Sequence, residues 1–145
     1  MRIFAGMSKH PITENSALVD RVYEAFMGGD VDAIVSAFAE DGVVEFAGAS
    51  ALVPWHLPAR GRAELPRFFA VFAQEVEIQR FERVATVAAM DAVVSRVKMS
   101  YRVRATGRTI DEEQVHWWTI AEGRIVAMTH FEDTAQVIAA VRAPR

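Results

Sequence analysis

Residues 97–132 read VKMSYRVRATGRTIDEEQVHWWTIAEGRIVAMTHFE, and the periodicity of this stretch decides the fold. Val97, Met99, Tyr101 and Val103 alternate with Lys98, Ser100, Arg102 and Arg104, which gives a strand one apolar face and one polar face. From Thr109 to Ala121 the alternation sorts Asp111, Glu113, Val115, Trp117 and Thr119 against Ile110, Glu112, Gln114, His116, Trp118 and Ile120. Each side holds both charge and bulk, so the pattern alone leaves the inward face open. From 124 to 132, Met128, His130 and Glu132 oppose Ile125, Ala127, Thr129 and Phe131. Thr106-Gly107-Arg108 and Ala121-Glu122-Gly123 read as the turns between the three strands.

Upstream, the period becomes helical. Thr13 is a candidate N-cap for a helix carrying Ala17, Leu18, Val22, Tyr23 and Phe26, stopped by Gly28-Gly29. Asp30 caps a second helix with Val31, Ile34, Val35 and Phe38 in its stripe, and Asp41-Gly42 turns into a short strand over 43–47. Residues 48–60 hold Pro54 and Pro58 and read as a loop, but Trp55, His56 and Leu57 make it a rim or lid. A third helix spans about 61–75 with Leu65, Phe68, Phe69 and Phe72. Strands follow over 76–89 and 92–105, and a last helix starts at Asp133 or Thr134. Helices followed by a long meander define an α+β fold: a curved antiparallel or mixed sheet packed on three N-terminal helices, with a short C-terminal helix. Residues 1–12 read as an arm and 13–145 as one domain.

The chain has 145 residues, 52% hydrophobic and 24% charged, with a formal charge of −3 and no cysteine. That length suits one core, and no apolar run reaches the ~18 residues of a membrane span. The absence of cysteine excludes disulfides and thiolate chemistry. The charge and the scattered arginines argue against nucleic acid as a partner. A cytoplasmic location is expected, since the opening residues lack the apolar core of a signal peptide. The four histidines, at 10, 56, 116 and 130, show no metal-ligand spacing, and no glycine-rich phosphate loop is present; no metal or cofactor is expected.

Four stretches carry a family resemblance: 22–26 with Gly28-Gly29-Asp30, 38–45, 61–65 with Phe68-Phe69, and 123–126 leading to 131–135. In order and spacing they resemble the nuclear-transport-factor-two-like superfamily, which includes ketosteroid isomerases and SnoaL-like polyketide cyclases. The resemblance implies a cone around a deep pocket, and a homodimer formed through the outer sheet face. It implies that Met99, Tyr101, Val115, Trp117, Met128 and His130 point into the pocket, with Asp111, Glu113 and Glu132 inward near the rim. His116 and Trp118 then fall on the outer face, at the dimer contact. The positions at which ketosteroid isomerases keep a base, an acid and a tyrosine fall on Phe46, Val115 and Val22, all apolar, so that chemistry is disfavoured.

A general acid or base needs a titratable group in a water-poor site. His130 is the best candidate, with Asp111 and Glu113, roughly 7 Å apart along one strand face, as its partners. The alternative for His130 is a core residue with one ring nitrogen hydrogen-bonded, and the alternative for Asp111 and Glu113 is a solvated hairpin end at the pocket mouth. Trp55 and His56 either close over a ligand or, for the tryptophan, only plug the core, and Tyr23, Tyr101 and Trp117 are expected to line an apolar wall with polar tips. The expected function is that of a small-molecule pocket: a cofactor-free isomerase, cyclase, dehydratase or hydrolase acting on a hydrophobic carbonyl or hydroxyl compound, aromatic or polycyclic. The alternative is a non-catalytic hydrophobic-ligand-binding or dimeric accessory module.

Overall fold

The computed structural model describes residues 11–144. Helix α1 runs Pro11–Met27 and buries Leu18, Val19, Val22 and Tyr23. It opens two residues before the predicted cap, because proline suits a first helical turn whose N–H has no partner. Pro11 and Ile12 therefore belong to the helix, and the rest of the predicted arm lies outside the described residues. Gly29, at φ 69°, ends the segment. Asp30 caps α2, Val31–Ala37, with Oδ1 accepting from the Ala33 N–H at 3.1 Å.

Strand β1, Phe38–Phe46, begins earlier than predicted; Phe38 is extended but still buried. The short β2, Ala59–Arg60, leads into α3, Gly61–Glu75. The meander follows as β3 Val76–Ala88, β4 Ala92–Val103, β5 Thr109–Ala121 and β6 Arg124–Phe131, and then α4, Thr134–Arg142, capped by Asp133. The sheet order is β2-β1-β6-β5-β4-β3, with β1 parallel to β6 and every other pair antiparallel. This is a curved, open, mixed α+β architecture, as predicted. Near Gly42 the β1–β6 register slips from Phe38↔Ile125 to Val43↔Ala127. A Cβ at Gly42 would stand 2.8 Å from the Ile125 carbonyl oxygen, so the bulge requires glycine.

Register corrects the predicted face of β5. Val93, Ser95, Val97, Met99 and Tyr101 are buried on β4, and they pair with Trp118, His116, Gln114, Glu112 and Ile110. Cross-strand partners share a face, so the even-numbered side of β5 is buried and Asp111, Glu113, Val115 and Trp117 face outward. Trp117 is 47% exposed. The cause is loop length. Val103 N–H bonds the Arg108 carbonyl at 2.8 Å, closing a hairpin around Arg104–Gly107. These four loop residues pair odd with even numbers, whereas the expected three-residue turn would have paired odd with odd. At the far end, Glu122 (φ 51°) and Gly123 (φ 74°) make a two-residue turn that pairs Ala121 with Arg124. A register shift between Thr119 and Ile120 then sets His116 opposite His130 and Trp118 opposite Met128. Met128, His130 and Glu132 face inward as expected.

Candidate functional site

A cavity offering about 60 Å³ to water-sized molecules lies between the helices and the sheet. Tyr23 from α1, Trp55 from the 48–58 loop, Met99 from β4 and Met128 from β6 line it, as expected from the sequence. Phe46, Phe68 and Phe81 add aromatic walls, and the polar lining is His116, Gln114, His130 and Glu132. Tyr101 and His56 are buried in the wall behind this lining. Two residues assigned to a dimer contact, His116 and Trp118, are 4% exposed and face the cavity instead. Asp111 and Glu113 stand on the opposite side of the sheet, where Glu113 meets Arg96 at 3.2 Å and Lys98 at 3.9 Å. They do not line this cavity.

The polar wall is one directed hydrogen-bond chain. Gln114 sets the directions, because its amide nitrogen only donates and lies against both carboxylates, which leaves its oxygen to accept from His116. Trp118 Nε1–H donates to the Tyr23 oxygen at 3.1 Å, and the Tyr23 hydroxyl donates to His116 Nδ1 at 2.7 Å. His116 Nε2–H donates to Gln114 Oε1 at 2.9 Å. The Gln114 amide spends its two hydrogens on carboxylates, Glu112 Oε1 at 2.8 Å and Glu132 Oε2 at 3.4 Å. Glu112 also accepts from the Tyr101 hydroxyl at 3.0 Å and the Asp133 N–H at 3.2 Å. Glu132 is gripped from the other side by His56 Nε2. His56 Nδ1 accepts from the Ser50 N–H at 3.1 Å, so Nε2 must carry the ring proton that goes to Glu132.

Two of the three described histidines therefore have fixed tautomers. His130 does not: its buried Nδ1 has no hydrogen-bond partner. Its ring stacks on Phe46 at 4.6 Å and 20°, and its centroid lies 4.6 Å from that of His116. Phe46 stacks on His56 across its other face, also at 4.6 Å. One imidazole face of His130 is thus covered by an apolar ring. Leaving a buried ring nitrogen unpaired costs roughly 1–3 kcal/mol, so a site that tolerates it is a candidate for chemistry. Among the described residues no group of three His, Asp or Glu side chains could hold a metal ion.

Burial sets the protonation states. It lowers His130 well below the ordinary histidine value, with charge repulsion from His116 and His56 adding to the effect, and it lowers His116 to about 4. Burial raises Glu112 to about 7, assisted by Glu132 and resisted by Gln114 and Tyr101. Tyr23 and Tyr101 are pushed up, mainly by burial, and stay protonated.

Stability should follow pH accordingly. Glu112, raised from 4.5 to about 7, contributes stability that is complete below pH 4.5 and lost as pH rises through 7. The two histidines contribute stability that is complete above 6.5 and lost on acidification, through about 4 for His116. Two groups outweigh one, so the melting temperature should be level near neutrality and fall below about pH 6.5. Thermal melts at half-unit intervals check this, and a melting temperature rising between pH 6.5 and 4.5 would contradict it.

The family profile for the SnoaL-like domain matches residues 19–128. That span is more than half of the chain, which therefore belongs to the SnoaL-like domain family. Its fold is shared with an NTF2-like protein from Burkholderia xenovorans LB400, at 24% identity and a TM-score of 0.81, covering 89% of this chain and 96% of that one. An NTF2-like protein from Burkholderia thailandensis E264 is likewise 24% identical, with a TM-score of 0.78 over 93% of this chain and 99% of that one. A protein from Jannaschia sp. CCS1, provisionally called a SnoaL-like polyketide cyclase, is 21% identical, with a TM-score of 0.77 over 97% and 100% of the two chains. No curated protein sequence matches the chain. Among the described residues no helix is long and apolar enough to cross a membrane.

Sequence reasoning left Gln114, His116 and Trp118 out of the site. Their strand face ends in Ile110 and Ile120, but the opposite face carries Val115 and Trp117, so the pattern alone does not say which side enters the core.

Proposed function

We propose that this protein is a cofactor-independent acid/base catalyst acting on a small hydrophobic carbonyl or hydroxyl compound, with His130 as the proton carrier. The observation that carries the proposal is the contrast among the histidines: His56 and His116 are locked by hydrogen bonds, and His130, whose ring lines an apolar cavity, keeps a buried nitrogen without a partner. Its lowered basicity keeps it neutral at pH 7, which is the form able to accept a proton. A neutral imidazole can take a proton at one nitrogen and release one from the other. For a ketone, a C–H proton beside the carbonyl moves to the free nitrogen, the C–H electron pair becomes the C=C bond, the C=O π pair moves onto oxygen, and that oxygen takes the proton released from the second nitrogen. The products are the enol and the other tautomer of His130, so charge balances without a lasting imidazolium. The remaining polar groups of the wall are engaged with each other, so the relay falls to this one ring. Isomerisation of the keto–enol kind suits the site better than hydrolysis, since no basic group is left over to activate water.

The test is deuterium exchange into small cyclic ketones in D₂O, followed by proton NMR with and without protein. Catalysed exchange that depends on His130 supports the proposal, and exchange that is absent for every ketone tried argues for the non-catalytic ligand-binding alternative.

A homodimer through the outer sheet face remains part of this proposal, with Trp117 and Phe131 in place of the inward His116 and Trp118. Both are exposed, at 47% and 45%, and lie on neighbouring strands. Trp117→Arg is expected to shift sedimentation from dimer to monomer while leaving the far-ultraviolet circular dichroism unchanged; a wild-type monomer at micromolar concentration would refute it.

A further inference from the structure

On the strength of the proton-transfer reading, we infer that the cavity selects an uncharged, single-ring ligand bearing an enol or phenol hydroxyl, and refuses ligands that carry a carboxylate or phosphate. Charge comes first. Among the described residues no lysine or arginine lines the cavity, and the one carboxylic acid that does is Glu132. Arg83 lies over the Tyr23 ring at 4.7 Å but is held by Asp20 at 2.6 Å. An anion entering this space would lose its water and meet no opposite charge, a large penalty in an apolar site.

Hydrogen-bond supply comes second. Tyr23, Trp118, His116 and Gln114 spend their donors on one another and on the two glutamates. What is left for a ligand is the edge of His130, whose face is covered by Phe46. The unpaired Nδ1 of a neutral His130 presents an acceptor or a donor according to the ring's tautomer, and a hydroxyl can answer either. An ether can only accept, and a hydrocarbon can do neither.

Size comes third. A cavity of about 60 Å³ is smaller than the roughly 150 Å³ apolar cavity that takes up benzene. A single ring enters if rim side chains such as Phe26 and Phe69, which are only partly buried, give way; a fused polycycle does not. The aromatic walls then supply face and edge contacts to that ring. This narrows the polycyclic ligand expected from the sequence to a single ring.

The test is calorimetric titration of the full chain with phenol, toluene and benzoate, comparing wild type with His130→Phe and His130→Leu. The phenol-to-toluene affinity ratio is expected to fall about tenfold in either folded variant, the effect of one buried hydrogen bond left without its partner. Benzoate should bind wild type at least tenfold more weakly than phenol does. A ratio that does not change in a folded variant, or benzoate binding as tightly as phenol, overturns the inference. Because binding is read without turnover, the two proposals can fail separately. Ketone exchange that is absent in the wild type or survives in the variants, with the ratio change intact, removes only the catalytic role, and His130-dependent exchange with an unchanged ratio removes only the ligand class.

Discussion

His130→Phe is expected to abolish catalysed ketone exchange, by about 10²–10⁴-fold for the loss of a positioned acid/base, and to leave the melting temperature equal or higher. The two halves of this result belong together. Phenylalanine has nearly the shape of the imidazole and keeps the stack on Phe46, now 4.6 Å between centroids. It also removes a buried nitrogen that has no partner. Such a group lowers the stability of the fold, so its loss should not harm folding. A residue that is dispensable for stability and indispensable for activity is the signature of a functional site. The acid-side fall in melting temperature should shrink in the same variant, because one of the two buried histidines that must charge is gone. Exchange that survives in His130→Phe would remove the proton carrier from the proposal, whatever the melting temperature does.

Gln114→Leu should be the most damaging single change in the polar wall, destabilising by about 1–3 kcal/mol. Gln114 is 5% exposed and is the one residue that joins His116 to both Glu112 and Glu132. Leucine leaves the His116 Nε2–H without an acceptor and takes a donor from each of two buried carboxylates. Glu112 would keep Tyr101 and the Asp133 N–H, and Glu132 would keep His56. The residual negative charge would then lie closer to uncompensated burial. For a chain of this length the loss corresponds to a melting temperature several degrees lower. Urea denaturation at pH 7 measures it directly, and a change below about 1 kcal/mol would mean that the chain of hydrogen bonds is not cooperative. Exposed Glu113→Gln is the control: its ion pairs with Arg96 and Lys98 lie in solvent and should contribute at most about 1 kcal/mol.

The architecture was legible because its signals are local. Gly28-Gly29-Asp30 marks the break between α1 and α2 through a positive φ and a capping carboxylate, both written in residue type. The alternation of Val97, Met99, Tyr101 and Val103 against charged neighbours reports its own buried face, and all four are buried. For Met128 and His130 the alternation was ambiguous, and only the family resemblance implied that they point inward. Trp55 could be seen as a large apolar residue stranded in a loop, and it is buried against Phe72 and Tyr101. What it does not do is act as an exposed lid, since the turns of the 48–58 loop hold it in the core at 1% exposure.

The same sequence could not orient β5. Asp111, Glu112 and Glu113 are three acids in a row, and only the middle one is buried, where Gln114, Tyr101 and a backbone N–H receive it. Composition cannot favour Glu112 over its neighbours, because the groups that make its burial tolerable lie on other segments or depend on the strand's own rotation. Periodicity, caps and turn residues thus determine which segments are helices and strands and in what order, because each depends on a few adjacent side chains. Which side of β5 builds the cavity is decided by tertiary structure alone. Side chains alternate with a period of two, so one residue more or less in the Arg104–Gly107 hairpin turns the whole strand over. That single register choice puts Gln114, His116 and Trp118 beside His130 and sends Asp111, Glu113 and Trp117 to the opposite face.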